Sequence, residues 1–195
     1  MADARRTSEV RQAELTDAAL RIIATQGIAA LSTSSLAREV GLSTGAIFRH
    51  FSTLEALLDA VVARVEAVLS SSYPDPDLPA MERLERFIEN RSVAVGEQLG
   101  ILRLVLSEQF HLALPRGGSA RLSACIDQTR AFITTCLREG QSTGEVRTDL
   151  SAESLTPIVM GTVQMLALST SKARKRQAET RAVLGSLLAL IRKPQ

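Results

Sequence analysis

Apolar residues recur at three- and four-residue spacing along almost the whole chain, and no stretch of four to eight residues alternates apolar with polar between turn signals. A chain patterned this way buries its apolar surface by packing helices on one another, so the spacing predicts an all-α fold. A first helix is expected over 8–26, with Leu15, Ala18, Ala19, Ile22 and Ile23 on one face and Gly27 as its stop. Two short helices follow, over 33–40 with Ser32 as cap and over 44–51 with Ser43 as cap, separated by Gly41. Ser52 and Glu55 have capping-box spacing ahead of a fourth helix whose stripe runs through Leu54, Leu57, Leu58, Val61, Val62, Val65, Val68 and Leu69.

Residues 70–79 concentrate Ser, Pro and Asp, a density of proline that no helix interior tolerates, and a domain boundary is expected there. Beyond it the period predicts a helix to about Val95, then a deeply buried helix over 99–114. The next runs from about Leu122 to Gly140, another from a Ser151 cap to Ser171 with Pro157 near its start, and a last one carries Val183, Leu184, Leu187, Leu188 and Ile191.

Composition removes several classes of function. Five Phe, one Tyr and no Trp are too few for a base-stacking platform. The two His and two Cys do not have the spacing of a structural zinc cluster, so neither a metal nor a cofactor is expected. Cys125 and Cys136 fall on one predicted helix, roughly 16 Å apart by its rise, beyond disulfide reach. The most apolar stretch, 158–168, is about half a membrane span and the N-terminus lacks a signal-peptide core, so a cytoplasmic protein with no membrane partner is expected. The net charge of +2 decides nothing about nucleic acid.

The pair of short helices joined by Gly41-Leu42-Ser43 has the dimensions of a helix-turn-helix. Leu36, Ala37 and Val40 on its first helix and Ile47 and Phe51 on its second are spaced to face inward, which turns Thr44, Gly45, Ala46, Phe48, Arg49 and His50 outward to varying degrees. Hydroxyls, amides and small side chains at a helix N-terminus approach a groove wall closely. The run from Leu31 to Phe51, with Ser52, Glu55 and Leu57 behind it, resembles the TetR family of bacterial transcriptional regulators. The resemblance covers about residues 8–69.

That resemblance implies a helix-turn-helix DNA-binding domain over 1–52, a connecting helix over 53–72 and a helical ligand-binding and dimerisation domain over 73–195. It implies a homodimer on a palindromic double-stranded DNA operator, a repressor that a small-molecule effector releases. Ser32 and Thr33 stand at phosphate-touching positions, Ser43 caps the recognition helix, and Thr44, Gly45 and Ala46 stand at base-reading positions. Phe48, Arg49 and His50 complete the surface. Phe48 replaces a more usual Tyr and Leu54 a more usual Lys, so fewer backbone contacts and a shallower salt dependence are expected. The basic arm with Arg5, Arg6 and Arg11 reads either as a groove contact or as a solvated tail, and the run Lys172 to Arg176 as a solvated turn at a helix C-terminus.

Polar groups on apolar helices mark effector candidates: Asn90, His111, Gln128 and Gln164, near Phe87, Phe110, Phe132 and Met160. Their apolar setting predicts an apolar or amphipathic effector. Met165, Leu168, Val183, Leu184, Leu187, Leu188 and Ile191 are the candidate dimer surface. Two other readings compete. Gly41-Leu42-Ser43-Thr44-Gly45 also fits the nucleophile elbow of serine hydrolases, which would make a small helical hydrolase using Ser43 or His111. An elbow, however, joins a strand to a helix, and the residues before Gly41 have helical period. A helical interaction module that does not bind DNA is the other, and it leaves the outward Thr44 to His50 surface without a role.

Overall fold

The computed structural model describes residues 2–97, 101–115, 117–168 and 173–193. Among them the chain is helical throughout: α1 (Ala2–Gln26), a 3₁₀ turn (Ile28–Ala30), α2 (Thr33–Val40), α3 (Thr44–Phe48), α4 (Leu54–Ser70), α5 (Ala80–Glu97), α6 (Ile101–Val105), α7 (Glu108–Ala113), α8 (Gly118–Ser142), α9 (Ala152–Leu168) and α10 (Ala173–Ile191). The one extended pairing among the described residues is a bridge between Val146 and Arg192, where Arg147 N–H donates to Ile191 O at 2.9 Å. The all-α reading holds.

The backbone divides into two compact units, Met1–Ala67 with Leu99–Leu122, and Val68–Gln98 with Ser123–Gln195. The division is not a single cut near residue 72. Helices α6 and α7 group with the N-terminal helices, because α6 packs on α1 and α7 on the 3₁₀ turn.

In the first unit the α1 face Leu15, Ala18, Ala19, Ile22 and Ile23 is fully buried, with Leu36, Ala37, Ile47, Leu57, Leu58, Val61, Val62 and Val65. Burying that many aliphatic side chains, at about 1.5–3 kcal/mol each, is what holds so short a helix as α3 in place. Several boundaries differ from the sequence expectation. Helix α1 begins at Ala2, so Arg5, Arg6 and Arg11 lie on helical backbone rather than on an arm. The cap of α4 is Thr53, whose Oγ1 accepts from Ala56 N–H at 3.1 Å, and this displaces the Ser52 and Glu55 box by one residue.

The single buried helix expected over 99–114 is two. Leu104 O accepts from Ser107 N–H at 3.0 Å to close α6, and Ser107 Oγ then accepts from Phe110 N–H at 3.3 Å to open α7. Ser107 competes for the backbone as an N-cap, which apolar periodicity does not register. The break exposes Leu112, 80% accessible, while Phe110 is fully buried.

The second unit packs α5, α9 and α10 on one another around Met81, Leu84, Phe87, Ile88, Ile133, Leu137, Val159, Leu184, Leu187 and Ile191. Helix α8 passes Gly140 and ends at Ser142, with Gly144 supplying the left-handed residue at φ 80°. Pro157 stands in the second turn of α9, deeper than a start position, and Ser151 caps that helix through Ser154 N–H at 3.1 Å. Ala173 to Arg176 open α10, so the described part of the basic run sits at a helix N-terminus, the end that cations do not favour. Lys172, like Ser169 to Ser171, lies outside the described residues.

Both cysteines lie on α8, Cys125 half-buried and Cys136 buried. Burial pushes the Cys136 thiol up to about 11, because desolvation disfavours the thiolate. At pH 8 only about one Cys136 in a thousand carries the reactive anion. Iodoacetamide in native buffer should therefore leave Cys136 unlabelled by peptide mass mapping, and label it once denaturant opens α8. Labelling at equal rates in both conditions would contradict its burial.

Candidate nucleic-acid interface and effector pocket

Helix α2 is fastened before it starts. Ser32 Oγ accepts from Ser35 N–H at 3.0 Å and Ser35 Oγ accepts from Ser32 N–H at 2.9 Å, a reciprocal box in which serine replaces the usual Glu or Gln. Ser35 Oγ also donates to Ala30 O at 2.7 Å, tying α2 to the 3₁₀ turn. At the other end Gly41 adopts φ 68°, where an L side chain would be strained, and Leu42 N–H reaches back to Ala37 O at 2.9 Å. Ser43 then opens α3 by accepting from Ala46 N–H at 3.2 Å. Two of the orphan donors at helix starts are thereby engaged, and hydrogen bonds with the left-handed Gly41 set the turn between α2 and α3.

Helix α3 ends at Phe48 rather than Phe51. Ile47 O collects the amides of His50 and Phe51 at 2.9 and 3.0 Å, which turns the chain over toward α4. Ser32, Ser43, Thr44, Gly45, Phe48 and Arg49 are exposed, and Thr33 and His50 half-buried. Phe48, 51% accessible, is an aromatic ring at the surface with no apolar cover, as a residue meant for another surface would be. Ala46 departs from its expected outward position: it is buried at 9% and braces α3 with Ile47, while its amide serves the Ser43 cap. His50 is held from behind. Gln12 Nε2 donates to its carbonyl at 2.9 Å, and its Nδ1 lies 3.5 Å from Ser8 Oγ.

The charges are distributed sparingly. Residues 1 to 72 contain seven Arg, no Lys and eight acids, and several of those arginines are engaged: Arg11 with Glu14 at 2.6 Å, Arg21 with Glu39 at 3.4 Å, Arg64 with Asp17 at 3.1 Å. Such exposed pairs contribute roughly 0–1 kcal/mol to stability and are easily exchanged for a phosphate. Arg38 and Arg49, by contrast, are exposed and make no ion pair with a described residue.

The effector candidates do not converge on one place. Phe110 and His111 belong to the first unit, and the others to the second. His111 is satisfied there: its Nε2 donates to Val105 O at 2.8 Å, which leaves Nδ1 to accept from Ser119 Oγ at 3.1 Å. Neither ring nitrogen is left for a substrate. In the second unit a cavity of about 500 Å³ lies between α8 and α9, lined by Ile126, Arg130, Thr134, Glu153, Thr156, Pro157, Met160, Gly161 and Gln164. It includes two of the expected residues, Met160 and Gln164. Asn90 and Gln128 are exposed, whereas Phe87 and Phe132 build an aromatic cluster with Tyr73. Arg91 and Tyr73, both part of that cluster, were not signalled by periodicity, since an arginine in a helix ordinarily marks the solvated face.

The candidate dimer surface needs correction. Leu184, Leu187 and Ile191 are 6%, 3% and 1% accessible and pack inside their own unit, because the core between α5, α9 and α10 consumes that stripe. Leu188 packs partly against the same core. Exposed apolar side chains on these helices are instead Ile158 and Met165 on α9 and Val183 and Leu190 on α10, of which Met165 and Val183 were expected. The side chain of Leu168 lies outside the described residues.

Among the described residues no group of three His, Cys, Asp or Glu could hold a metal ion, and no helix is long and apolar enough to cross a membrane.

Comparison with known proteins agrees with this geometry. Residues 15–61 match the family model for bacterial regulatory proteins of the tetR family. The chain is 28% identical over 194 residues to the HTH-type transcriptional regulator SrpR of Pseudomonas putida, covering 95% of this chain and 87% of SrpR. The fold is similar to that of the ketosteroid transcriptional regulator KstR2 of Mycobacterium tuberculosis, with a TM-score of 0.83 at 20% identity over 94% of this chain and 96% of that one. It is similar also to AibR in complex with isovaleryl coenzyme A and operator DNA, with a TM-score of 0.73 at 15% identity over 95% of this chain and 100% of that one.

Proposed function

We propose, from the premise that the chain belongs to the TetR family of bacterial transcriptional regulators and is no enzyme, that it acts as a cytoplasmic homodimeric repressor. It binds a palindromic operator and is released when a small apolar or amphipathic effector enters the second unit. The observation that carries this is the turn from Ser32 to Arg49: two capped helices hold Thr44, Gly45, Phe48 and Arg49 at the surface over a buried apolar core. Ser32, Thr33 and Ser43 contribute hydroxyls and helix-start amides to phosphates, Thr44 and Gly45 meet base edges, and Arg49 and His50 position the protein on the backbone. Ala46 contributes by seating α3. AibR, captured with both an acyl coenzyme A and operator DNA, supports the two-ligand scheme.

A twofold axis in the protein requires half-sites related by the same axis, about one helical turn apart or somewhat more. A gel-shift titration of the DNA upstream of the protein's own gene, with protein mass in solution measured alongside, tests the scheme. A monomer that binds tightly would overturn the dimer, and absence of any salt-sensitive shift would overturn the operator.

Near-neutral charge in the first 72 residues makes non-specific binding weak and the salt dependence shallow. Leu54, half-buried at the start of α4, stands where the family resemblance implies a phosphate-facing lysine. Leu54→Lys should raise affinity and steepen the slope of log K on log salt by about 1. An unchanged slope would show that position 54 does not face a phosphate.

A further inference from the structure

Arg91 is 4% accessible, and no described carboxylate pairs with it. Its guanidinium carbon lies 4.9 Å from the Phe87 ring centroid and 5.6 Å from that of Tyr73, and Phe132 closes the cluster 4.9 Å from Phe87 and 5.2 Å from Tyr73. The ring faces attract the cation but accept none of its N–H groups in line. Among the described residues Nε has no hydrogen-bond partner, the Tyr73 hydroxyl is one neutral hydrogen-bond partner of the guanidinium, and Nη2 lies 3.4 Å from a second, Thr129 Oγ1. That oxygen is already shared: Thr129 Oγ1 donates its own proton to Cys125 O at 2.9 Å and lies 3.1 Å from Tyr73 Oη.

Arg83 Nε is likewise buried without a partner, but its Nη2 meets Glu139, and at two other arginines the whole guanidinium edge has a carboxylate. Nε and Nη2 of Arg121 hold the two oxygens of Glu66, and those of Arg147 hold the two oxygens of Asp149. A buried arginine without a carboxylate is expensive: Tyr73 offsets part of the ionic desolvation, but burial outweighs it and lowers the pKa. A packing role alone would be served more cheaply by Met or Leu at this position.

We propose that Arg91, beside Thr129 of α8 and outside the lining of the α8–α9 cavity, is the anion-recognition residue of an effector site at the aromatic cluster, and that the effector is an organic acid whose carboxylate takes the Nε and Nη2 edge. Its apolar body lies against Tyr73, Phe87 and Phe132. The inference rests on the ligand-responsive reading above and narrows its effector from apolar or amphipathic to anionic and amphipathic. Tyr73, three residues beyond the end of α4, touches both the arginine and Thr129, so a bound carboxylate competes directly for the contacts that hold this residue.

The test uses acids with neutral twins of equal shape: hexanoate against hexanamide, and 4-phenylbutyrate against 4-phenylbutyramide. Binding to the full-length protein is measured by calorimetry and thermal shift. The wild type should prefer acid over amide by about tenfold or more, the value of a bidentate charged hydrogen bond. Arg91→Met should remove the preference while leaving ligand-free stability equal or higher, and Arg91→Lys should restore part of it. Equal binding of acid and amide to the wild type would overturn the proposal. So would no binding of either acid at about 10 mM, or a preference that survives in Arg91→Met. The wild-type comparison decides even where the variant fails to fold. Gel shift of ligand-free wild type is read separately: its failure would strike the operator reading and leave the acid preference standing.

Discussion

Gly45→Glu is expected to abolish specific DNA binding while the protein remains folded and slightly more stable. Position 45 is the second residue of α3, and a Cβ built there meets no atom within 4 Å. A carboxylate in the first turn of a helix is favoured by the unpaired amides and the dipole, worth roughly 0.3–1 kcal/mol, and any residue other than Gly restricts the unfolded chain. The same carboxylate would face a duplex that carries about two negative charges per base pair. Like-charge juxtaposition costs several kcal/mol, hence a loss of about 10²–10³-fold in operator affinity. Ala131→Glu, exposed on α8, makes the same change in net charge and should leave the gel shift almost untouched. Retained binding in Gly45→Glu would mean that α3 is not the groove-reading element.

The second large effect concerns Gly140. It sits inside α8, where alanine ordinarily gains about 1 kcal/mol over glycine, so an exposed-helix argument predicts that Gly140→Ala stabilises. The packing predicts the reverse. A Cβ at 140 falls 2.6 Å from Val146 Cγ2 and 3.2 Å from Met81 Sδ, both side chains buried, and Val146 is pinned in the bridge to Arg192. Methionine can yield, but a β-branched valine in a hydrogen-bonded bridge has little freedom to turn. Gly140→Ala should lose about 1–3 kcal/mol in urea unfolding. Val146→Ala alone should also destabilise, by a similar amount, through the cavity it leaves. The pair should cost at least about 1 kcal/mol less than the sum of the two, because the truncated valine makes the room that the new methyl needs. Strict additivity would show that the collision is relieved elsewhere.

The helix-turn-helix was legible residue by residue because each of its determinants is local. Ser32 and Ser43 cap, Gly41 turns, and Leu36, Ala37 and Ile47 recur at helical spacing. Local signals fail where two of them compete within a residue or two. Ser52 and Thr53 are both cap residues by composition, and in the fold Thr53 takes the role ahead of the buried Leu57 and Leu58. Gly140 and Gly144 both resemble helix stops; only the approach of Val146 shows that the first is there for want of space. Apolar spacing likewise marks the faces of α9 and α10 that must be covered without saying by what. Leu184, Leu187 and Ile191 are covered by their own unit, which leaves Met165 and Val183 exposed.

What the amino-acid order determined by itself was the all-helical class, the placement of the helix-turn-helix and the near-absence of surplus positive charge from the segment proposed to read DNA. These depend on neighbours within about one helical turn, and such neighbours are written consecutively. Tertiary structure decided which apolar stripe became core, where α6 and α7 part at Ser107, and that Ala46 seats its helix instead of presenting a side chain. It also decided that Arg91 lies buried among Tyr73, Phe87 and Phe132, paired with no described carboxylate. Burial and charge pairing join residues as far apart in the chain as 73 and 132, and an arginine's spacing along a helix is the same whether its head reaches water or aromatic rings.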